Sequence, residues 1–207
     1  MIRPIVLCKA PRPGSVKTRL QTCFSPEQAA EIHAAMARVF INKIARLYPN
    51  GWIAADDPSD SFYSGFELPV ISQGEGNLGE RMARLLSLTI HQGATGVLFT
   101  GTDSPHMSAA RLKAAMHSLK SNDVVIGPVE DGGYDLIGIR GLHEGVLANI
   151  PWSTADVLDA TFSRLHEQEL KYRLLSTGFD VDTPDDLMRS VRTGFRLPPT
   201  LCFESMR

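Results

Sequence analysis

The sequence has 207 residues, of which 43% are hydrophobic and 21% are charged, an ordinary balance for a globular domain. Its formal net charge of −2 argues against a general nucleic-acid-binding protein, because such proteins present a strongly basic surface. No apolar run approaches the roughly 18 residues of a membrane-spanning helix, and no charged segment followed by a long apolar run marks a secretion signal. We therefore expect a cytoplasmic protein without a membrane span.

The three cysteines, Cys8, Cys23 and Cys202, are odd in number and widely spaced. No Cys-x-x-Cys pair suggests zinc binding or redox chemistry. We expect reduced thiols, as is usual in the cytosol.

Strand-like apolar runs alternate with helical patterns along most of the chain. The predicted strands cover residues 2–8, 52–55, 68–72, 96–100, 123–128, 136–139 and 172–175. The predicted helices start at Pro26, at Leu78, after Ser108, after an N-cap at Ser153 or Thr154, and at Pro184. This alternation predicts a three-layer α/β/α domain around a mostly parallel sheet.

We assign residues 1–195 to that single domain and residues 196–207 to a C-terminal tail. The tail is Pro-rich and either packs on the domain or meets a partner chain. A homodimer is therefore possible.

A basic loop follows the first strand, with the sequence Lys9-Ala-Pro-Arg-Pro-Gly-Ser-Val-Lys-Thr-Arg-Leu20. Its four cations, Lys9, Arg12, Lys17 and Arg19, and its backbone N–H groups could hold phosphate oxygens. It is not a Walker A loop, because no glycine directly precedes Lys17. The alternative is a solvated basic turn.

A second loop, Gln73-Gly-Glu-Gly-Asn-Leu-Gly-Glu-Arg-Met82, is rich in glycine and follows the third strand. Its glycines would let the backbone approach a flat or charged ligand closely. Gln73, Asn77 and Arg81 could then contact a base, a ribose or a phosphate. The alternative is a simple connection in which Arg81 pairs with Glu80 or another surface acid.

Several acids follow the ends of buried strands. Asp103 comes after the apolar run Val97-Leu-Phe99, at the sheet edge where α/β proteins bind ligands. It could hold a metal ion or cap a turn. Asp131 could face the same cleft or belong only to a hairpin turn. Asp180 and Asp182 precede a helix cap and are not explained by it.

Cations at one end of the cleft and acids near its middle suit a polyphosphate bridged by Mg²⁺, which usually takes one or two carboxylates plus phosphate oxygens. No cysteine or histidine spacing supports a zinc site. No G-x-G-x-x-G follows the first strand, which argues against a dinucleotide-dependent dehydrogenase.

Six motifs occur in the order that is typical of one family. They are the basic loop 9–20, the Gly-rich loop 73–82, Gly101-Thr-Asp-Ser-Pro105, Gly127-Pro-x-x-Asp-Gly-Gly-Tyr134, Trp152-Ser-Thr154 and Asp180-Val-Asp-Thr-Pro-x-Asp-Leu187. Together they resemble the glycosyltransferase-like DUF2064 family of the nucleotide-diphospho-sugar transferase superfamily, which implies a GT-A-type (Rossmann-like) fold. The basic loop and the Asp-containing segments are also similar to those of phospholactate guanylyltransferases and molybdenum-cofactor nucleotidyltransferases.

The resemblance implies roles for these residues. Those implied in catalysis are Lys17, Arg19, Asp103 and Asp131. Those implied in nucleotide binding are Lys9, Arg12, Gly14, Lys17, Thr18, Arg19, Gln73, Gly74, Asn77 and Arg81. A metal ion, Mg²⁺ or Mn²⁺, would lie on Asp103 with one of Asp180 and Asp182. The acceptor side would comprise Gly132, Gly133, Tyr134, Trp152 and Ser153. One departure from the family pattern is Asn77, where an acid is expected.

The leading hypothesis is a metal-dependent nucleotidyltransferase that joins a nucleotide to a small phosphorylated or hydroxylated acceptor and releases pyrophosphate. The alternatives are a glycosyltransferase with a nucleotide-sugar donor and a non-catalytic nucleotide-binding protein. The expected partners are a nucleoside triphosphate or nucleotide sugar and a small-molecule acceptor, with no nucleic acid.

Overall fold

A seven-stranded sheet with helices on both faces makes up the computed structural model, which describes residues 1–201. The strands are β1 (Ile2–Cys8), β2 (Trp52–Ala55), β3 (Val70–Ser72), β4 (Gly96–Thr100), β5 (Val124–Pro128), β6 (Tyr134–Arg140) and β7 (Tyr172–Leu174). The helices are α1 (Pro26–Leu47), α2 (Leu78–His91), α3 (Ala109–Ser118), α4 (Val157–Glu167) and α5 (Pro184–Arg192). Cys202 and the rest of the predicted tail from residue 202 lie outside the described residues.

The strand order across the sheet is β3-β2-β1-β4-β6-β5-β7. Neighbouring strands pair in parallel except at β6, which is antiparallel to both β4 and β5. The predicted α/β fold with a mostly parallel sheet is therefore confirmed. Because β6 runs backwards, its first residues lie at the same edge as the last residues of β1 and β4.

Reciprocal capping boxes mark the starts of α1 and α5. The Ser25 side chain accepts a hydrogen bond from Gln28 N, and Thr183 caps α5 in the same reciprocal way with Asp186. The predicted cap of α4 at Ser153 or Thr154 is wrong. Thr154 Oγ1 instead donates to Pro151 O and closes a turn, so the helix begins only at Val157.

Two apolar layers cover the sheet, one on each face. The first includes Val6, Leu98 and Val125 from the sheet, against which Phe40 of α1 and Leu112 of α3 pack. The second is built on sheet residues of the opposite face, such as Val97 and Phe99, together with Met82, Leu85 and Leu165 of α2 and α4. Alternation of side chains along each strand produces these two faces.

A third, smaller apolar cluster fixes the loops at the carboxyl edge of the sheet. Leu20 follows the basic loop and is fully buried against residues of α1, Val181 and Leu187. The cluster therefore holds the basic loop beside the segment that carries Asp180 and Asp182.

The described cysteines, Cys8 and Cys23, are not joined in a disulfide, which agrees with the expected thiols. Within residues 1–201, the helices are too short or too polar to cross a membrane.

Phe40 and its neighbour Val39 test the assignment of the first apolar layer. Phe40 is fully buried, whereas Val39 is 40% exposed on the same helix. We expect F40A to lower the free energy of unfolding by about 3–5 kcal/mol, because it leaves a cavity. V39A should change it by less than about 0.5 kcal/mol. Urea unfolding of both variants measures this, and equal losses would contradict the assignment.

Candidate functional site

A pocket of about 660 Å³ opens at the carboxyl edge of the sheet. Its walls come from the ends of β1 and β4, the start of β6, the basic loop, the Gly-rich loop and the segment before α5. The sheet order puts the loops after β1, β2 and β3 on one side, and the start of β6 and the ends of β5 and β7 on the other. Asp103, which follows β4, lies near the middle.

Lys17 is the centre of a cluster of ion pairs in this pocket. Its Nζ lies 2.7 Å from Asp103 Oδ1 and 3.2 Å from Asp182 Oδ1, and it also donates to Val181 O. The Lys17 side chain is only 5% exposed. Arg19 Nη1 adds a second cation, 3.1 Å from Asp182 Oδ2. One ammonium therefore joins three loops that are far apart in sequence.

Electrostatics keep both members of the central pair charged. Burial would lower the pKa of the Lys17 ammonium, but the carboxylates of Asp103 and Asp182 outweigh it and hold that pKa above its usual value. Burial would likewise raise the pKa of Asp103, yet Lys17 holds it below the usual range. The pocket therefore contains a formed ion pair at neutral pH.

The backbone at Lys17 contributes to this geometry. Lys17 has φ 46° and ψ 43°, the left-handed conformation that non-glycine residues rarely adopt. The chain turns there into a short 3₁₀ helix, Thr18–Thr22, whose Leu20 is anchored in the third apolar cluster. The anchored turn directs the Lys17 side chain inward.

Asp180 differs from the other two acids. Its Oδ1 accepts a hydrogen bond from Ser104 Oγ at 2.5 Å, and no cation is paired with it among the described residues. Burial, with repulsion from Asp103 and Asp135, raises its pKa to about 7, although the Ser104 bond opposes the shift. Asp180 is therefore partly protonated at neutral pH.

These acids bear directly on the predicted metal site. Within residues 1–201, no three acidic, histidine or cysteine side chains are arranged to hold a metal ion. Two carboxylates, those of Asp103 and Asp182, do converge on one cationic atom, Lys17 Nζ. A site with two carboxylates fits Mg²⁺ or Mn²⁺, which complete their coordination with water and phosphate oxygens.

The Gly-rich loop is held in place by buried hydrogen bonds. The amide Nε2 of Gln73, a buried residue, donates to Ala54 O at 2.8 Å and to Cys8 O at 3.2 Å. Its Oε1 accepts from Arg81 Nη1 at 3.3 Å, and Arg81 Nε donates to Gly76 O at 2.8 Å. Arg81 therefore lies against the loop and in the pocket lining, and the described contacts do not pair it with Glu80.

Asn77 has a structural role as well as a place in the pocket lining. Its side chain accepts from Glu80 N, and Glu80 Oε2 accepts from Asn77 N, which forms a capping box at the start of α2. Asparagine is among the best N-cap residues, so helix capping accounts for it at this position.

Lys9, Thr18 and Arg19 also line the pocket as predicted, but Arg12 and Gly14 lie outside its lining, as does Gly74. The Arg12 guanidinium lies 2.7 Å from Asp57 and 3.3 Å from Asp60, on the acidic turn after β2. Arg12 therefore pairs with acids outside the pocket lining, and its phosphate-binding role stays a prediction.

On the predicted acceptor side, Tyr134 and Ser153 line the pocket. Gly132, Gly133 and Trp152 lie outside the lining, and the Trp152 and Tyr134 rings are in T-shaped contact with centroids 6.2 Å apart. Asp131 also lies outside the lining, because its Oδ1 accepts from Gly133 N at 3.0 Å in the β5–β6 hairpin. The geometry favours the turn interpretation of Asp131.

Sequence reasoning missed Asp135, which lines the pocket two residues after the glycines. Its carboxylate is held by Arg111 at 3.0 Å through each oxygen, and burial raises its pKa to about 6 against that attraction. Asp135 lies at the start of a strand, and no sequence pattern there indicates that it lines a pocket. His33 was also missed, and its Nε2 donates to Lys9 O at 2.9 Å.

Comparisons with known proteins agree with this architecture. The sequence matches the model of a family described as an uncharacterized protein conserved in bacteria (DUF2064) over residues 50–154, just over half of the chain. No curated protein matches the sequence. A solved structure from Desulfovibrio desulfuricans G20, provisionally named as a nucleotide-diphospho-sugar transferase, is 29% identical with a TM-score of 0.81, and the match covers 88% of this chain and 84% of that one.

Two more distant structures share the fold. CMP:2-keto-3-deoxy-manno-octonic acid synthetase complexed with CTP is 13% identical with a TM-score of 0.56, covering 91% of this chain and 96% of its own. Rv0371c of Mycobacterium tuberculosis H37Rv in complex with manganese is 18% identical with a TM-score of 0.51, covering 92% and 98%. The predicted fold of the nucleotide-diphospho-sugar transferases is confirmed.

Asp180 provides a test of the pocket electrostatics through pH. Because folding raises its pKa from an ordinary value near 4 to about 7, the protonated form is favoured in the folded state, and stability falls as pH rises through that window. D180N removes this loss and keeps an acceptor for Ser104. We expect D180N to exceed wild type by about 1 kcal/mol or more at pH 8, with little difference near pH 4.

Urea unfolding at both pH values measures this difference. D159N, which removes an exposed acid of α4, serves as the control for loss of one charge. A D180N variant that is no more stable than wild type at pH 8 would contradict the described environment of Asp180.

Proposed function

The chain belongs to the DUF2064 family, and on that premise we propose that it is a divalent-metal-dependent nucleotidyltransferase. It transfers a nucleotide from a nucleoside triphosphate to a small acceptor and releases pyrophosphate. The observation that carries this proposal is the pair of carboxylates, Asp103 and Asp182, which share one cation beside the basic loop at the carboxyl edge of the sheet.

The donor side of the pocket suits a nucleotide. The basic loop contributes Lys9, Lys17 and Arg19 to the lining, and the Gly-rich loop contributes Arg81 and the start of α2. Phosphate oxygens would meet these cations and backbone N–H groups. The base or ribose would lie against the Gly-rich loop, where Gln73 and Arg81 line the pocket.

The charge balance of the pocket supports a metal requirement. Its cationic lining residues are Lys9, Lys17, Arg19 and Arg81, and its acidic lining residues are Asp103, Asp135, Asp180 and Asp182. Asp103 and Asp182 are already paired with Lys17 and Arg19, so these two cations are partly neutralised before a triphosphate binds. Asp103 and Asp182 would hold Mg²⁺ or Mn²⁺, and the bound metal would stabilise the negative charge that develops on the leaving pyrophosphate.

The residues of this chain would act mainly by positioning. Lys17 would give up its contact with one carboxylate and bind a phosphate oxygen instead. Arg19, whose side chain is 69% exposed, would hold the phosphate chain near the entrance of the pocket. The acceptor oxygen would attack the α-phosphorus, and the bond from that phosphorus to the bridging oxygen would break. Such a displacement needs alignment and electrostatic stabilisation but no covalent nucleophile.

A second candidate is glycosyl transfer from a nucleotide sugar. The observation in its favour is the 29% identity to the Desulfovibrio protein, which is provisionally named as a nucleotide-diphospho-sugar transferase. The two reactions differ in their products, because glycosyl transfer releases a nucleotide and leaves no pyrophosphate. A cytoplasmic location and a homodimer remain predictions from the sequence.

Two matched variants test the assignment of Asp103. We expect D103N to lower pyrophosphate release by at least about 100-fold, because it removes a charge that would hold the metal. D131N should keep most activity, since Asp131 lies in the hairpin turn and asparagine suits that turn. A coupled pyrophosphate assay with each nucleoside triphosphate, Mg²⁺ and a broad acceptor panel measures both.

Far-UV circular dichroism like that of wild type and a single cooperative thermal transition would show that both variants are folded, although loss of the Lys17 contact lowers the melting temperature of D103N. Equal activity of D103N and wild type would remove Asp103 from the mechanism. If wild type releases no pyrophosphate with any combination, nucleotidyl transfer is wrong.

A further inference from the structure

The charges of the pocket are divided between its two sides. All four cationic lining residues come from the loops after β1 and β3. On the side formed by the start of β6 and the end of β7, the charged lining residues are Asp135, Asp180 and Asp182. Among residues 1–201, no cation from that side contributes to the lining.

The cation nearest to Asp135 is already engaged. Arg111 donates through Nε and Nη2 to the two oxygens of Asp135 at 3.0 Å each, and through Nη1 to Ser176 O. Its side chain is 12% exposed, and that of Asp135 is 4% exposed. A bidentate pair of this kind is rigid and leaves little of the guanidinium for a ligand.

Close packing prevents Arg111 from moving into the pocket. A Cβ at Gly127 would lie 2.4 Å from Asp135 Oδ1 and 2.7 Å from Arg111 Nη2. A Cβ at Gly178 would lie 3.0 Å from Asp135 Oδ2. The backbone therefore closes around the ion pair from two directions, and Arg111 acts as the counter-charge of Asp135 alone.

The cations in the middle of the pocket do not supply a free positive charge to the acceptor side. Lys17 and Arg19 are the donor-side cations that reach the middle of the pocket, and both are paired with Asp103 or Asp182. The phosphates of the donor nucleotide would compete for the same cations. A second phosphate group, on the acceptor, would lie on the side that carries Asp135 and Asp180, where Arg111 is already bound to Asp135 and the described residues add no other cation to the lining. Nothing on that side would offset the cost of removing the phosphate from water.

A neutral hydroxyl compound suits the same surface. Its hydroxyl groups can donate to carboxylates, and one face of a sugar ring can lie on the Tyr134 ring, which is in T-shaped contact with Trp152. Ser153 is exposed and lines the pocket, so it adds a polar residue to the same surface.

We propose that the acceptor is an uncharged polyhydroxyl compound, such as a sugar or polyol, and that the attacking atom is a hydroxyl oxygen rather than a phosphate oxygen. This inference rests on the proposed nucleotidyl transfer. The hydroxyl oxygen forms a bond to the α-phosphorus, the bond to the bridging oxygen breaks, pyrophosphate leaves with the electron pair, and the hydroxyl proton is released to water.

Matched acceptor pairs test the proposal. Glucose is compared with glucose 1-phosphate, and glycerol with glycerol 3-phosphate, with each nucleoside triphosphate and Mg²⁺. We expect the neutral member of a reactive pair to release pyrophosphate at least about tenfold faster than its phosphorylated partner. Faster reaction of the phosphorylated members would overturn the inference and leave nucleotidyl transfer standing.

A variant makes the role of charge explicit. S153K adds a cation to the acceptor side, at a residue that already has φ 67°, and A155K adds one at an exposed residue outside the lining. We expect S153K, but not A155K, to raise the activity ratio of phosphorylated to neutral acceptor by at least about tenfold. An S153K ratio equal to that of wild type would contradict the charge explanation.

Binding separates this inference from the proposed function. If no acceptor yields pyrophosphate, the nucleotidyl transfer proposal fails, and the acceptor side is then judged by calorimetry. The same acceptor pairs are titrated into protein saturated with Mg²⁺ and a triphosphate analogue that has a methylene bridge between the α- and β-phosphorus. Tighter binding of the neutral members supports the inference, and tighter or equal binding of the phosphorylated members overturns it.

Discussion

The ion pairs of Lys17 hold the pocket together. A single buried ammonium contacts Asp103, which follows the central strand β4, and Asp182, which precedes α5. The Lys17 side chain is only 5% exposed, so the loss of its carboxylate partners would leave a nearly buried ammonium uncompensated. The three loops therefore depend on one another. The third apolar cluster supports the same arrangement, since Leu20 and Val181 are both fully buried in it.

The same ion pairs also determine which charges are free to bind a ligand in the pocket. Because Lys17 and Arg19 are paired with the central acids, a nucleotide bound as proposed would have to bring further positive charge or displace these contacts. A divalent metal on Asp103 and Asp182 would do both. The side of the pocket at the start of β6 is different, because the Arg111 guanidinium there is already paired with Asp135. Under the proposed function, the four cations of the lining would form the donor half of the pocket, and the acceptor half would favour hydroxyl groups.

Much of the fold could be predicted from the sequence, because its signals are local. The capping box at Ser25 and the buried strand 96–100 depend on neighbouring residues and on regular periodicity. The site was predicted only in part, because side-chain partners depend on distant segments. Lys17 contacts Asp182, which is 165 residues away, and Arg12 turned out to pair with Asp57 rather than line the pocket.

The same limit explains Asp131 and Asp135. A sequence pattern identifies an acid beside two glycines, but only the antiparallel path of β6 decides that Asp135 faces the pocket and Asp131 closes the turn.

Thermal unfolding of the wild-type protein with nucleoside triphosphates and nucleotide sugars, with and without Mg²⁺, is the most direct test of a metal-dependent nucleotide site. At a hundredfold excess over its dissociation constant, a bound ligand stabilises the folded state by about 2.7 kcal/mol, which is a readable shift. We expect that shift with at least one triphosphate, and only when Mg²⁺ is present. Stabilisation of equal size without Mg²⁺, or none with any triphosphate, would contradict the proposed site.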